Sequence, residues 1–203
     1  MLRTLTFISA TALITLSACN QGSKSLPSET VGNKVVWSGD NGEDTPEVVL
    51  LRQEDAYVIF SQYDQEDTAT DWFEESDQYS VIYSGIHVAS CSEFVSDIRR
   101  QQLIEMREGE RQRVKVKARY GDYVYEEKGQ QDVTLNGTTH KVRVIEDEYT
   151  RLFLDAKTTE VIGFQDIESE ELSYIIKIEE DAEIDPDVLS YAKENCDPGP
   201  LDD

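Results

Sequence analysis

The sequence predicts an α+β fold: a large curved antiparallel β-sheet, wound as a meander, with one mid-chain helix and a short C-terminal helix. Three observations carry this. Between Arg113 and Glu179, short segments of alternating or β-branched character follow one another, separated by turn pairs such as Asn136-Gly137. Two helix-start signals stand out, Ser90-Cys-Ser-Glu93 and Asp185-Pro186. The length suits one domain, and Leu, Ile, Val and Phe make up about a quarter of the chain, enough to fill a core.

The first half reads as four strands, Lys34–Ser38, Glu47–Arg52, Ala56–Ser61 and Tyr79–Ser84, with turns at Asn41-Gly42 and Glu54-Asp55. The stretch Gln62–Gln78 is long for a connection and carries Trp72 and Phe73, which can close over a pocket or anchor the loop to the core. A capping box at Ser90 and Glu93 starts a helix running to about Met106, with Gly109 beyond its end. Phe94, Val95, Ile98 and Met106 supply its apolar face. Arg113–Arg119 alternates strictly, as a half-buried strand does. Gly121-Asp122 turns it into Asp122–Glu127, and Lys128-Gly129 turns again into Gln131–Leu135. Asn136-Gly137, the strongest short hairpin signal, leads to Thr139–Glu146. Then come Tyr149–Asp155, Glu160–Ile167 and Glu171–Glu179, the last with Leu172, Tyr174, Ile176 and Ile178 on one face. Asp185-Pro186 opens a final helix ending near Cys196.

Ahead of this domain, Leu5–Leu16 forms an apolar run after a lone basic residue, Arg3. It is shorter than the roughly 20 residues of a membrane span and has the length of an export signal. It closes on Leu16-Ser17-Ala18-Cys19, which resembles the lipobox of bacterial lipoproteins. The resemblance implies that residues 1–18 are a signal peptide, that Cys19 becomes the acylated N-terminus, and that acyl chains (palmitate among them) hold the protein to a membrane. Asn20, rather than Asp, follows the cysteine. In enterobacterial lipoproteins that implies the outer membrane, with the protein facing the periplasm. Residues 20–33 are polar, hold two glycines, a proline and three serines, and read with Cys19 as a tether, 19–33. It would reach at most about 45–50 Å when extended and roughly 20 Å as a coil. Residues 34–203 are then the single β-rich domain.

Cleavage removes one basic residue, Arg3, and leaves 42 acidic against 18 basic side chains, a net charge of −24. That excess argues against nucleic acid, which needs Lys and Arg to meet phosphates. It is compatible with a cationic partner. With Cys19 assigned to lipid, Cys91 and Cys196 remain, and outside the cytoplasm such a pair reads as a disulfide. The alternative is two buried free thiols. The bond would close a loop of about 105 residues, worth on the order of 4–5 kcal/mol in the chain-entropy description. One segment runs against the charge. Residues 99–119 hold eight basic side chains against three acids, among them Arg111, Arg113, Lys115, Lys117 and Arg119. This stripe either pairs with neighbouring acid-rich strands or contacts a lipid headgroup or an acidic partner.

No pattern amounts to a reaction signature, and a non-enzymatic role is the expectation. The two histidines, His87 and His140, do not gather the three or four ligands a metal site needs. Asp64–Glu75 and Asp181–Asp187 repeat acids at alternate positions, but Ala69 and Pro186 stand where a calcium loop needs glycine. No phosphate-cradling Gly-rich loop, nucleophile elbow or Cys-x-x-Cys occurs. No cofactor or metal is implied.

Phe153-Leu-Asp-Ala-Lys-Thr-Thr-Glu-Val-Ile-Gly-Phe164, then Leu172–Glu179 and Ile184-Asp185, resembles the closing strand–turn–strand order of the periplasmic lipoprotein-carrier (LolA-like) superfamily. The likeness covers about a third of the chain. The first half departs from it, lacking an early helix before the first strands. The resemblance implies a half-barrel that binds lipid in its concave face. The functional expectation is therefore a membrane-anchored acidic lipoprotein of the cell envelope. It would bind an apolar or lipid ligand, with the basic stripe at the rim. The alternative is a protein-interaction or inhibitor module for a cationic envelope partner.

Overall fold

The computed structural model describes residues 27–39, 44–62, 75–118 and 121–196. The lipobox with Cys19, the aromatic pair Trp72 and Phe73, most of the Asp64–Glu75 acidic run and Arg119 lie outside them.

Eleven strands form one open antiparallel sheet with two helices, the α+β architecture the sequence predicts. The chain enters at the centre with β1 (Lys34–Trp37) and walks outward through β2 (Thr45–Gln53), β3 (Ala56–Ser61), β4 (Tyr79–Tyr83) and β5 (His87–Ser90). Helix α1 (Asp97–Glu108) carries it to the opposite edge. The chain then walks back through β6 (Arg113–Ala118), β7 (Gly121–Leu135), β8 (Thr138–Glu146), β9 (Thr150–Asp155), β10 (Val161–Asp166) and β11 (Leu172–Glu179), which pairs with β1. Helix α2 (Pro186–Asn195) ends the domain.

The sheet curls. His87 on edge strand β5 and Tyr125 on β7 lie nine strand spacings apart along the sheet, about 43 Å if it were flat. Their side chains nevertheless share a hydrogen bond of 2.7 Å. A single core joins the two halves: Val58, Val81 and Tyr83 from the first, Val114, Ile145 and Leu154 from the second, Leu103 and Met106 of α1, and Ala192 of α2.

Local chemistry explains most boundaries. Asn136 and Gly137 both have positive φ, 47° and 73°, which is the two-residue turn that the β7–β8 hairpin requires. Three later connections share one device. Asp147, Asp155 and Asp166 each accept two backbone N–H bonds two and three residues on. Part of the acidic excess is thus spent on turns. Asp185 caps α2 by accepting from the Asp187 N–H at 2.8 Å, with Pro186 in the first turn.

Three boundaries differ from expectation. Lys128-Gly129 is a bulge, not a turn: Glu127 faces Ile145 while Gly129 faces Val144, so one long strand follows β8 throughout. Strand β5 takes the residues expected to lead into the helix. Ser90 pairs with Ser80, so its backbone is held extended, and the Ser90 N–H bond to Glu93 (3.3 Å) closes only a turn. Helix α1 begins six residues later, at Asp97, and leaves Phe94 and Ile98 exposed while Val95 and Met106 are buried. The domain also starts before Lys34. Glu29 and Asn33 are buried, and the Gly32 N–H bonds to the Val49 carbonyl at 2.9 Å.

Cys91 and Cys196 are bonded, with Cα atoms 4.4 Å apart. Cys196 caps the end of α2 as expected; Cys91 sits in the turn between β5 and α1 rather than in the helix.

Candidate functional site: an apolar cavity with acidic walls

Cross-strand partners share a sheet face, so the register identifies which residues look inward together. From Ile82 the line passes to Tyr57, and from Ile59 to Val49; Glu47 stands opposite both Ser61 and Val35. Across the centre, Trp37 faces Ile175, and Phe164 faces Leu152. Residues on β5, β4, β3, β2, β1, β10 and β9 line a cavity of about 310 Å³; on β4 they are on the face opposite Val81 and Tyr83, which turn into the main core. Its walls are mostly aliphatic and aromatic. Trp37 and Phe164 close one side, their ring centroids 5.3 Å apart. A second apolar hollow of about 340 Å³, bounded by Leu135, Ile162 and Ile178, adjoins it and shares Ser28 and Val161.

Few polar side chains line the first cavity, and their arrangement is specific. Glu47 accepts from Trp37 Nε1 on Oε2 (2.7 Å) and from the Ser61 hydroxyl on Oε1 (3.3 Å). Burial raises its carboxyl above the usual range, outweighing the two hydrogen bonds that favour the charged form. Glu29 is 1% exposed and lies between two guanidinium groups, Arg52 at 2.8 Å and Arg107 at 3.2 Å. Burial pushes the Tyr57 hydroxyl well above its ordinary value, and the nearby Glu29 and Glu47 charges push it further. Among the described residues the site therefore holds one neutral phenol, one paired carboxylate and one carboxyl met by two neutral donors.

A depression of about 380 Å³ lies elsewhere and is a poor ligand site. It is lined by Asp122, Glu126, Lys128 and Glu146, whose charges pair with one another or with Lys115, Arg113 and Arg151, and by Asp147, whose carboxylate accepts the Tyr149 and Thr150 N–H groups. Such a surface is solvated rather than apolar.

The described residues of the basic stripe do not line the apolar cavity. Arg113, Lys115 and Lys117 alternate with the buried Val114 and Val116 and are exposed. They lie on β6, the edge of the sheet, whereas the cavity is built on β1–β5, β9 and β10. Arg113 pairs with Glu126, and Lys115 with Asp122, both on β7; Arg111 pairs with Glu105 on α1. Opposite charges across neighbouring elements account for Arg111, Arg113 and Lys115, and exposed charges also guard a sheet edge against pairing with another chain.

His87 is buried, 1% exposed, among Tyr83, Tyr123 and Tyr125, and burial lowers its pKa to about 4. It is part of the seam that joins the two ends of the sheet. His140 lines the second hollow. Among the described residues no group of three His, Cys, Asp or Glu side chains is placed to hold a metal ion, and no helix is long and apolar enough to cross a membrane.

Glu29, Trp37, Glu47 and Tyr57 were not singled out by the sequence. The available signal was an acid, Glu47, at an inward position two residues before the buried Val49. It becomes visible only once the strand register is known. No protein-family model matches the chain, and comparison with curated proteins finds no significant relative.

Proposed function

We propose that this chain is an exported lipoprotein, anchored through Cys19, which binds a small apolar or lipid ligand in the apolar cavity on its sheet without catalysing a reaction on it. The observation that supports this reading is the apolar cavity of about 310 Å³ lined by β1–β5, β9 and β10. Ligand sites fall at roughly 300–1,000 Å³ and combine apolar walls with a few placed polar groups. This volume equals the liquid space of roughly ten water molecules, enough for one alkyl chain but not a two-chain lipid. The adjoining hollow past Val161 gives a longer chain somewhere to continue.

The likeness of residues 153–185 to lipoprotein carriers agrees with a lipid ligand, and the lipobox agrees with an envelope location. The described part of the domain begins at Pro27, eight residue steps after Cys19. Fully extended, they reach about 26–29 Å. The cavity would thus work close to a bilayer.

The test is native mass spectrometry of the mature chain purified from its membrane. The expected spectrum shows a fraction of molecules carrying a single-chain lipid in addition to the acyl groups on Cys19. Protein free of any bound lipid, combined with no uptake of added single-chain lipids, would contradict the proposal.

A further inference from the structure

We propose that the cavity selects a single-chain amphiphile with a cationic, ammonium-type head, and that Glu47 is the residue that receives that head. This rests on the ligand-binding reading above and adds the chemical class of the ligand.

Charge complementarity is the first argument. Among the described residues, the ionisable side chains on the cavity wall are Glu29, Glu47 and Tyr57, all acids, and the lining includes no Lys, Arg or His. Glu29 already has two arginines, Arg52 and Arg107. Its buried Oε1, though 3.2 Å from Arg107, accepts no well-directed hydrogen bond among the described residues. Among the described residues Glu47 meets two donors, Trp37 and Ser61, both neutral, and no Lys or Arg there forms an ion pair with it.

The geometry of Glu47 is the second argument. A carboxylate has about four acceptor positions, and the two protein donors occupy one on each oxygen. The group is fixed in place with acceptor capacity left over. An ammonium would fill that capacity with charge-assisted bonds and supply the counter-charge that the wall lacks. A fatty acid would instead bring a second carboxylate beside Glu47 and near Glu29, in surroundings where like charges repel strongly. Repulsion of the wrong head is as effective a source of selectivity as attraction of the right one.

Trp37 offers a direct readout, because its indole bonds Glu47 and the chain holds one other tryptophan, Trp72. In a mature Trp72→Phe chain, Trp37 fluorescence would be titrated with decylamine, decanol and decanoate at pH 7. Decylamine is expected to bind at least tenfold more tightly than decanol, with decanoate weakest. In Glu47→Gln the amine should fall to the level of the alcohol, while the alcohol is unchanged. Decanoate binding as tightly as decylamine, or an undiminished amine preference in Glu47→Gln, would overturn the proposal. Should Glu47→Gln not fold, the same ranking at 0.5 M salt decides. Attraction by the diffuse surface charge is screened away there, whereas a contact with a buried carboxylate persists. If none of the three chains binds, the ligand-binding reading itself fails. If decanol and decanoate bind but the amine has no advantage, only the head-group assignment fails.

Discussion

At the scale of single residues, buried polar groups set the pH behaviour. His87 is 1% exposed and its pKa lies near 4, against an ordinary value of 6.5, because burial penalises the imidazolium. The unfolded chain therefore takes up a proton at a higher pH than the folded one. Its stabilising contribution is complete above pH 6.5 and is lost progressively as pH falls toward 4, by on the order of 3 kcal/mol. Asp155 and Asp166 act in the same direction but lower down. Turn N–H bonds hold their carboxyls below the usual range, so their contribution is present above about pH 4 and disappears as pH falls through their folded values. Urea unfolding of wild type and His87→Gln at pH 7.5 and 4.5 separates the two effects. The variant is expected to start less stable and to lose clearly less on acidification. An equal loss in both would refute the assignment to His87.

At the scale of elements, one arginine holds helix α1 against the sheet. Arg143 on β8 is 6% exposed and donates to the Met106 and Arg107 carbonyls at the helix C-terminus, at 2.8 and 2.6 Å. It also pairs with Glu127 through two bonds of 3.0 and 2.7 Å. The helix end carries partial negative charge, so the cation suits the site. Gly109, at φ 85°, completes the cap, and a side chain there would approach the Arg143 guanidinium within 3.3–3.5 Å. Replacing Arg143 by Ala leaves Glu127 and two carbonyls without their buried partner. The expected cost is about 3–5 kcal/mol in chemical denaturation. A loss under about 1 kcal/mol would mean that water takes over the contacts.

The elements also show what the sequence could and could not reveal. Asn136-Gly137, Asp185-Pro186 and the alternation of Arg113–Ala118 were legible because each signal is local and complete within a few residues. Strand β5 was hidden by its four-residue length and by the capping-box pattern at Ser90 and Glu93, a pattern that sheet pairing with β4 overrides. The Lys128-Gly129 pair carries turn chemistry, yet a glycine at positive φ serves a bulge equally well.

At the scale of the whole molecule, the cavity arises from contacts far apart in sequence. Trp37 meets Ile175 across the β1–β11 pair, and bulges beside Trp37 and between Val49 and Leu51 set which side chains face inward. Each bulge exchanges the two faces of a strand, so periodicity alone could not place Glu47 on the inner wall. The Cys91–Cys196 bond fastens the C-terminal helix beside the β5–α1 turn and closes a loop of 105 residues across the fold.

The most direct test of the cavity is to fill it. Ser80 lines the cavity from β4, opposite Ile59, and Ser80→Phe would project a ring into it. Affinity for decanol, followed by calorimetry on the mature chain, is expected to fall at least tenfold in Ser80→Phe while the unfolding transition stays cooperative. Undiminished decanol binding in a folded Ser80→Phe protein would show that the ligand, and with it the proposed function, lies elsewhere on the molecule.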